Sequence, residues 1–213
     1  MDNANKIAII GGTGTVGSFI AKEAIQYGYQ VRMLVRNPQK VAFKDDKLEI
    51  VQGDVQNEES LRTLIKGCDI VINTFGQPMT DVPLFSGITE KIIKVMKDLK
   101  VKRYFGVTGA SLVFPGDKRK FLTKIMIKLF KAKFGEAMAD RQKEIDFLMG
   151  NKESIDWTLV RLPRVADSSE TGTVKESFDD MPGLKVNNRD IATYIVKHIK
   201  NHKYVHKGPF ISN

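Results

Sequence analysis

The chain has 213 residues, of which 42% are hydrophobic and 28% charged, a composition typical of a single globular domain with a sizeable core. It excludes a membrane-spanning helix, because no apolar run approaches the roughly 20 residues that span a bilayer. Its one cysteine, Cys68, excludes an internal disulfide, and the opening MDNANK does not resemble a secretory leader. We therefore expect residues 1–213 to form one domain in the cytoplasm.

Short apolar segments alternate with segments of helical periodicity in chain order. The apolar segments are not interrupted by polar residues, which is typical of parallel strands buried on both faces. The pattern predicts an α/β fold: a Rossmann-like, doubly wound, mainly parallel sheet of order 3-2-1-4-5-6 with helices on both faces, and a seventh strand near Phe210. Residues 167–186 are predicted to form a loop or small lobe over the substrate side. Strands are predicted at residues 7–10, 31–35, 48–51, 70–73, 104–107 and 158–160, and helices at 18–27, 58–66, 86–99 and 135–149.

A glycine-rich loop joins the first predicted strand to the first predicted helix. Its glycines satisfy both G-x-x-G-x-x-G and G-x-G-x-x-G, and this strand–loop–helix setting is the one in which such a motif binds phosphate. Without side chains, the backbone N–H groups can approach a pyrophosphate at the helix N-terminus. A tight turn that binds nothing is the plain alternative. The expected contacts are Gly11, Thr13, Gly14, Thr15, Val16 and Gly17.

The end of the second predicted strand indicates which dinucleotide is bound. An acidic residue there would bind the ribose 2′-hydroxyl of NAD, but this strand is followed by Arg36, with Lys40 close behind. The planar guanidinium of Arg36 suits a 2′-phosphate, although a solvated arginine at a strand end is the alternative. The sequence therefore favours NADP(H) over NAD(H).

Six segments of the chain together resemble a known family. The segments IIGGTGTVG, VRMLVRNPQK, VQGDV, VINTFG, YFGVTGAS and IDWTLVRLPRV occur in the order and spacing of the atypical short-chain dehydrogenase/reductases. The branch they resemble contains NAD(P)H-binding proteins grouped with flavin and biliverdin-IXβ reductases and with nitrogen-metabolite-repressor-like regulators. The resemblance extends from Lys6 to about Ile211, and it is specific for fold and cofactor but not for the reaction.

The resemblance implies further cofactor contacts, all at positions that follow the carboxyl ends of strands. Asp54 and Val55 would lie beside the adenine, and Thr74, Phe75 and Gly76 would flank the ribose and pyrophosphate. Residues Thr108, Gly109 and Ser111 would lie near the nicotinamide, with Pro163 and Val165 on its carboxamide side. Considered without the family, Asp54 is an acid in a turn and Thr74 a polar strand end.

The Tyr-x-x-x-Lys pair that reduces carbonyls in this superfamily is missing from the sequence. In that pair a phenol protonates the alkoxide left by the hydride, and the lysine lowers the pKa of the phenol. None of the five tyrosines has a lysine four residues later. In AMADRQKEIDFL, which resembles the catalytic helix, Lys143 stands in the lysine place but Ala139 in the tyrosine place. Lys143 could bond the nicotinamide ribose or be a surface lysine, and Ser111 could approach the substrate or cap a turn.

Two functions remain compatible with these residues. A planar conjugated acceptor, such as a flavin or quinone, delocalises the incoming charge, so water can supply the proton and no tyrosine is needed. The chain would then be an NADPH-dependent reductase of a small planar molecule. Alternatively, it is a non-catalytic NADP-binding regulatory protein that reports redox state to a partner, as the repressor-like members do.

A basic segment, residues 118–133, carries seven lysine and arginine residues and no acid, whereas the whole chain has a net charge of +9. It is amphipathic, with lysines on one helical face and apolar side chains on another. Three interpretations fit this pattern: a solvated lysine face above a core-facing apolar stripe, a cover over the substrate pocket, and contact with a partner or an anionic surface. Nucleic-acid binding is not expected, because aromatic residues are not interleaved with the charges.

The histidines and the cysteine indicate no further chemistry. His198, His202 and His206 recur at a spacing of four, but lysines and no acid surround them, so a metal site is not expected. Cys68 is expected to be a small core residue, since no base lies beside it in sequence. The oligomeric state does not follow from the sequence.

Overall fold

A computed structural model describes residues 6–168 and 170–213. Ten strands and five α-helices are present in these residues. The strands are β1 (Lys6–Ile10), β2 (Gln30–Val35), β3 (Leu48–Gln52), β4 (Ile70–Asn73), β5 (Arg103–Gly109), β6 (Asp156–Leu162), β7 (Arg164–Ala166), β8 (Lys175–Ser177), β9 (Lys185–Asn187) and β10 (Phe210–Ser212). The helices are α1 (Gly17–Gln26), α2 (Glu58–Ile65), α3 (Phe85–Asp98), α4 (Phe121–Gly150) and α5 (Asn188–His198).

Eight strands form one sheet in the order β3-β2-β1-β4-β5-β6-β10-β8. All neighbouring pairs from β3 to β10 are parallel, and only β8 runs antiparallel, against β10. The predicted order 3-2-1-4-5-6 and the seventh strand at Phe210 are therefore confirmed. The sheet reverses its winding between β1 and β4, where open α/β sheets bind ligands.

The core consists of two apolar layers, one on each face of the sheet. In β1, Ile7 and Ile9 face the layer that α1 and α5 complete, while Ala8 and Ile10 face the layer that α2, α3 and the second half of α4 complete. Every one of these four side chains is 0–1% exposed. Burial on both faces explains why residues 7–10 of the strand are all apolar, as predicted.

Residues 167–186 contribute two strands that the sequence did not indicate. Within them, β8 extends the main sheet at its edge, and the start of β9 pairs in parallel with β7 in a separate two-stranded sheet. Three-residue strands of polar sequence, such as KES in β8, give no apolar run that pattern reading can detect. The predicted cover over the substrate side stays a prediction, and no described residue of this segment lines the cleft reported below.

Helix α4 is interrupted by a kink at Phe134, which has φ −129° and ψ 38°. The second half, after the kink, matches the predicted helix at 135–149 and packs against α3. The first half is the helical part of the basic segment. Within residues 6–168 and 170–213, no helix combines the length and the apolar character needed to cross a membrane.

Candidate functional site

A cleft of about 1280 Å³ opens at the carboxyl edge of the parallel strands, where the sheet reverses its winding. It is lined by the loops that follow β1, β2, β3, β4, β5 and β6, and by one residue of α4. Of the residues predicted from the sequence to surround the cofactor, Ser111 does not line this cleft, whereas Val165 and sixteen others do. The sixteen others are Gly11, Thr13, Gly14, Thr15, Val16, Gly17, Arg36, Lys40, Asp54, Val55, Thr74, Phe75, Gly76, Thr108, Gly109 and Pro163.

The glycine loop is compact and leaves the start of α1 open. Gly11 has φ +77°, a conformation that side chains disfavour, and its carbonyl accepts a hydrogen bond of 2.9 Å from the N–H of Gly14. A methyl group on Gly17 would lie only 2.3 Å from that same carbonyl oxygen, so Gly17 allows the helix to pack on the strand. No side chain caps α1, and its first turn holds no acid. The N–H of Ser18 already donates to the carbonyl of Gly14. The uncapped N–H groups just before it, at the start of the helix, suit an anion.

Arg36 and Lys40 form a cationic rim on one side of the cleft. Arg36 directly follows β2, and Lys40 ends a short 3₁₀ turn that Asn37 caps by accepting a hydrogen bond from the N–H of Gln39. Both cationic side chains are exposed, and neither is in a salt bridge with a described residue. Two unpaired cations beside the cleft suit a doubly charged phosphate group.

The loop after β4 is fixed by hydrogen bonds to the neighbouring strands. The Thr74 hydroxyl donates to the carbonyl of Ile10 over 2.8 Å, and the Asn73 side chain accepts from the N–H of Phe75 while donating to the Tyr104 hydroxyl. The ring of Phe75 packs edge-on against Phe85. These contacts hold Thr74, Phe75 and Gly76 against the mouth of the glycine loop.

Thr108, at the end of β5, presents an unsatisfied polar atom in the cleft wall. The residue is 4% exposed, and its hydroxyl has no hydrogen-bond partner within the described chain. Buried hydroxyls are normally bonded, so the unpaired hydroxyl of this cleft residue is a candidate partner for a bound ligand. Pro163 and Val165, which follow the neighbouring strand β6, also line the cleft.

Arg141 also lines the cleft, and the sequence reasoning missed it. Its guanidinium lies 3.6 Å from the centre of the Phe85 ring, pairs with the buried Glu144 at 2.9 Å and reaches the carbonyl of Phe75 at 3.4 Å. Its spacing could have indicated that it lies on the buried face of its helix. The residues three, four and seven positions away, Met138, Ile145 and Leu148, are apolar and buried.

Neither predicted catalytic residue lines the cleft. Lys143 is exposed on α4, and since it lies two positions from Arg141, the two side chains leave the helix in nearly opposite directions. Ser111 lies in the turn just beyond Gly109, and its hydroxyl would be 3.6 Å from a methyl group placed on Gly109. The predicted contacts of both residues with the substrate or the nicotinamide ribose stay predictions.

The histidines and the cysteine noted in the sequence contact other parts of the fold. His198 packs between the rings of Tyr194 and Tyr204, and His206 bonds the carbonyl of Ile155. In the described ranges 6–168 and 170–213, no group of three His, Cys, Asp or Glu residues could hold a metal ion. Cys68 is buried, with its thiol 3.4 Å from the carbonyl of Leu64, as expected of a core residue.

Comparison with known proteins agrees with this geometry. Residues 11–202 match the family model described as NAD(P)H-binding. An isoflavone reductase homolog, A622 of Nicotiana tabacum, is 35% identical over 111 residues, which are 47% of this chain and 34% of that protein. The chain thus spans about a third of the length of this curated relative.

Two solved structures share the fold over nearly their whole length. ChuY, an anaerobillin reductase from Escherichia coli O157:H7, is 14% identical with a TM-score of 0.80, covering 98% of this chain and 97% of ChuY. A short-chain dehydrogenase/reductase from Veillonella parvula in complex with NADP is 15% identical with a TM-score of 0.74, covering 98% of this chain and 94% of that one. At such identities the likeness concerns the fold.

Proposed function

The chain belongs to the NAD(P)H-binding family, and from this membership we propose that it is an NADPH-dependent reductase of a small, planar, conjugated acceptor of the flavin or quinone class. The observation that carries the proposal is the lining of the cleft. It combines an uncapped helix start, two unpaired cations and an unsatisfied buried hydroxyl, but no tyrosine. The first three features suit a phosphorylated cofactor, and the last one disfavours simple ketones as substrates.

The residues present fit a dinucleotide along the length of the cleft. The open start of α1 and the glycine loop would hold the pyrophosphate. There is space for it beside Gly14, because a methyl group placed on Gly14 would have only the Gly11 carbonyl oxygen within 4 Å, at 3.2 Å. Asp54 and Val55 would lie beside the adenine. The unpaired hydroxyl of Thr108, with Pro163 after the neighbouring strand β6, would meet the nicotinamide end. The cofactor, when bound, supplies a hydride at that end.

The preference for NADP(H) rests on Arg36 and Lys40. The guanidinium fork of Arg36 matches two phosphate oxygens, and no acid follows β2 to bind the 2′-hydroxyl of NAD(H). The NADP complex of the Veillonella parvula protein, which has the same fold, is consistent with this preference. We therefore expect the protein to bind both cofactors and to bind NADP(H) more tightly.

The proposed acceptor class rests on the lack of a tyrosine in the cleft lining that could protonate an alkoxide. All five tyrosines lie away from the cleft lining; Tyr104, for example, is wholly buried with its hydroxyl bonded to Asn73. Reduction of a ketone would leave an alkoxide that needs an acid nearby. A conjugated acceptor spreads the charge, so water can protonate it afterwards. The chain then has only to orient a flat ring beside Thr108 and exclude water from one face.

The experiment is an acceptor panel with purified protein and NADPH, followed through the loss of NADPH absorbance. We expect slow turnover of flavins or quinones and negligible turnover of simple ketones. Replacing Ser111 by Ala should lower kcat a few-fold, because orientation but no essential proton donor is lost. Ser154→Ala, a serine in the turn between α4 and β6 and outside the cleft, is the control. If all conjugated acceptors are inert while NADPH binds tightly, the non-catalytic sensor replaces this proposal, and rapid ketone turnover would overturn the mechanism.

A further inference from the structure

The basic arm, residues 118–133, leaves a broad apolar surface uncovered. Phe121, Leu122 and Leu129 are 75%, 73% and 67% exposed, and Ile125, Met126 and Phe130 are exposed as well. Exposed apolar side chains normally occur singly on a globular protein, whereas these six belong to one stretch of ten residues. Such a contiguous patch indicates an interaction surface, and its position shows that the apolar stripe does not face the core.

Three stripes run along the helical part of the arm. One stripe faces the protein: Thr123 is buried and donates a hydrogen bond of 2.9 Å to Asp180, and Ile127 is half-buried. A second stripe contains the exposed Lys124, Lys128 and Lys131, at spacings of four and three. The third stripe is the apolar patch described above. The one cation on this face of the helix is Lys133, at the C-terminal end of the arm.

We propose that the basic arm is a docking element for the surface of an anionic lipid bilayer. The patch of Phe121, Leu122, Ile125, Met126 and Leu129 would enter the interfacial region, and the lysine stripe beside it would contact acidic headgroups. A helix with a basic stripe, a wide apolar face and no acidic residue has the composition of helices that lie in this interface.

A second copy of the chain is a poorer occupant of the patch. In a two-fold symmetric contact the same surface meets itself, so the lysines of both copies would be brought together. The arm contains no acid that could offset this repulsion. Two acids next to it are already bonded: Asp180 to Thr123 and to the N–H of Lys120, and Asp117 to Arg161. The exposed Glu136 lies beyond the kink at Phe134.

The attachment of the arm to the protein favours a flat partner over a groove. Thr123 and Ile127 hold one side of the helix against the domain, so only the outer half of its circumference is available. A groove that enclosed the helix would also have to accommodate the body of the domain. A bilayer surface contacts the outer half without that requirement, and its dense negative charge complements the lysines.

The test is co-sedimentation of the full chain with vesicles of phosphatidylcholine alone and of phosphatidylcholine with 30% phosphatidylglycerol, without NADPH or acceptor. We expect the partition coefficient to be at least about tenfold higher on the anionic vesicles and to fall as salt is added. Since the readout is vesicle binding, its outcome is separate from that of the proposed reductase activity.

Two sets of variants separate charge from apolar insertion. Lys124→Gln with Lys128→Gln and Lys131→Gln should lower binding at least about tenfold, and so should Leu122→Gln with Leu129→Gln. The matched controls are Lys44→Gln with Lys102→Gln and Lys152→Gln, all exposed lysines outside the arm, and Tyr27→Gln with Leu184→Gln, exposed apolar residues elsewhere. Both controls should bind like the parent protein. As a second measurement, tryptophan emission from Phe121→Trp should shift to shorter wavelength on anionic vesicles.

Three results would overturn the proposal. The first is equal or absent binding to both vesicle types at low salt. The second is binding that the leucine variant retains in full, since the patch would then stay outside the bilayer. The third is a concentration-dependent dimer, seen by sedimentation velocity and lost in the leucine variant, which would make a second copy the occupant.

Discussion

Gly17 packs against Gly11 so closely that a methyl group on Gly17 would lie 2.3 Å from the Gly11 carbonyl oxygen. This contact joins the start of α1 to the end of β1, and it fixes the position of the N–H groups that the proposed pyrophosphate would meet. The same methyl group on Gly14 would lie 3.2 Å from that oxygen and would otherwise project into open space.

Replacing these two glycines by alanine should therefore have different effects. Gly17→Ala should lower the free energy of unfolding by about 1–3 kcal/mol, because the helix must move away from the strand. Gly14→Ala should change stability much less but weaken NADPH binding, because the methyl group occupies the space for phosphate. Urea unfolding and cofactor titration measure the two quantities. Equal destabilisation by both variants would contradict this division.

Arg36→Ala should discriminate between the two cofactors. Loss of a charged contact to the 2′-phosphate should weaken NADP(H) binding by about 1.5–3 kcal/mol and leave NAD(H) binding nearly unchanged. Lys44→Ala, an exposed cation outside the cleft, is the control, and calorimetric titration of both cofactors is the measurement. If both cofactors weaken equally, Arg36 does not contact the 2′-phosphate.

Arg141→Met should affect both stability and the site. Removal of the guanidinium leaves Glu144 buried without its cation, which should cost about 3 kcal/mol. Adding Glu144→Gln should restore part of the stability, since the amide can still accept the hydrogen bond from Thr89. If Arg141 also acts in the cleft, NADPH binding or turnover should stay impaired in the restored double variant.

Lys143→Met is the matched control for that experiment, because it removes a cation two residues away on the exposed side of α4. We expect little change in stability or cofactor binding. A clear loss of NADPH affinity in this variant would instead support the ribose contact that the sequence predicts for Lys143.

The single thiol should be nearly unreactive in the folded protein. Burial raises the pKa of Cys68 to about 11, so at pH 8 only about one molecule in a thousand carries a thiolate. Reaction with a disulfide reagent should be at least about 100-fold slower than in urea-unfolded protein, and should accelerate with pH. Rapid native-state reaction at pH 8 would mean that the turn between α2 and β4 opens readily.

Stability should decrease on mild acidification because of His198. Burial between Tyr194 and Tyr204 lowers the pKa of this imidazole below its usual value, despite the nearby Glu176 carboxylate. As the pH falls through about 6.5, the unfolded chain binds the proton first, so the free energy of unfolding falls until the folded pKa is reached. His198→Gln should flatten this dependence in urea unfolding between pH 5 and 7.5. His202→Gln, an exposed histidine, should not.

The parts of the fold and site that could be predicted from the sequence are those whose cause is local. The glycine loop follows from backbone sterics within seven residues, and the position of Arg36 follows from the end of an apolar strand. Strand β8 could not be predicted, since its pairing with β10 joins residues 175–177 to residues 210–212 and shows no apolar pattern. The apolar spacing around Arg141 could place it on the buried face of its helix, but its position in the cleft depends on how that helix packs against α3.

The kink at Phe134 divides one continuous helix into two parts with unrelated constraints. Before the kink, most side chains are exposed to solvent. After it, Glu144 and Ile145 are buried, and Arg141 forms a salt bridge with Glu144. In a mutational scan scored by folding alone, most substitutions before Phe134 should therefore be tolerated and most substitutions on the buried face after it should not. Thr123, which is buried, should be the exception in the first half. Residues in the first half of the helix can therefore be replaced in evolution while the geometry of the cleft remains intact.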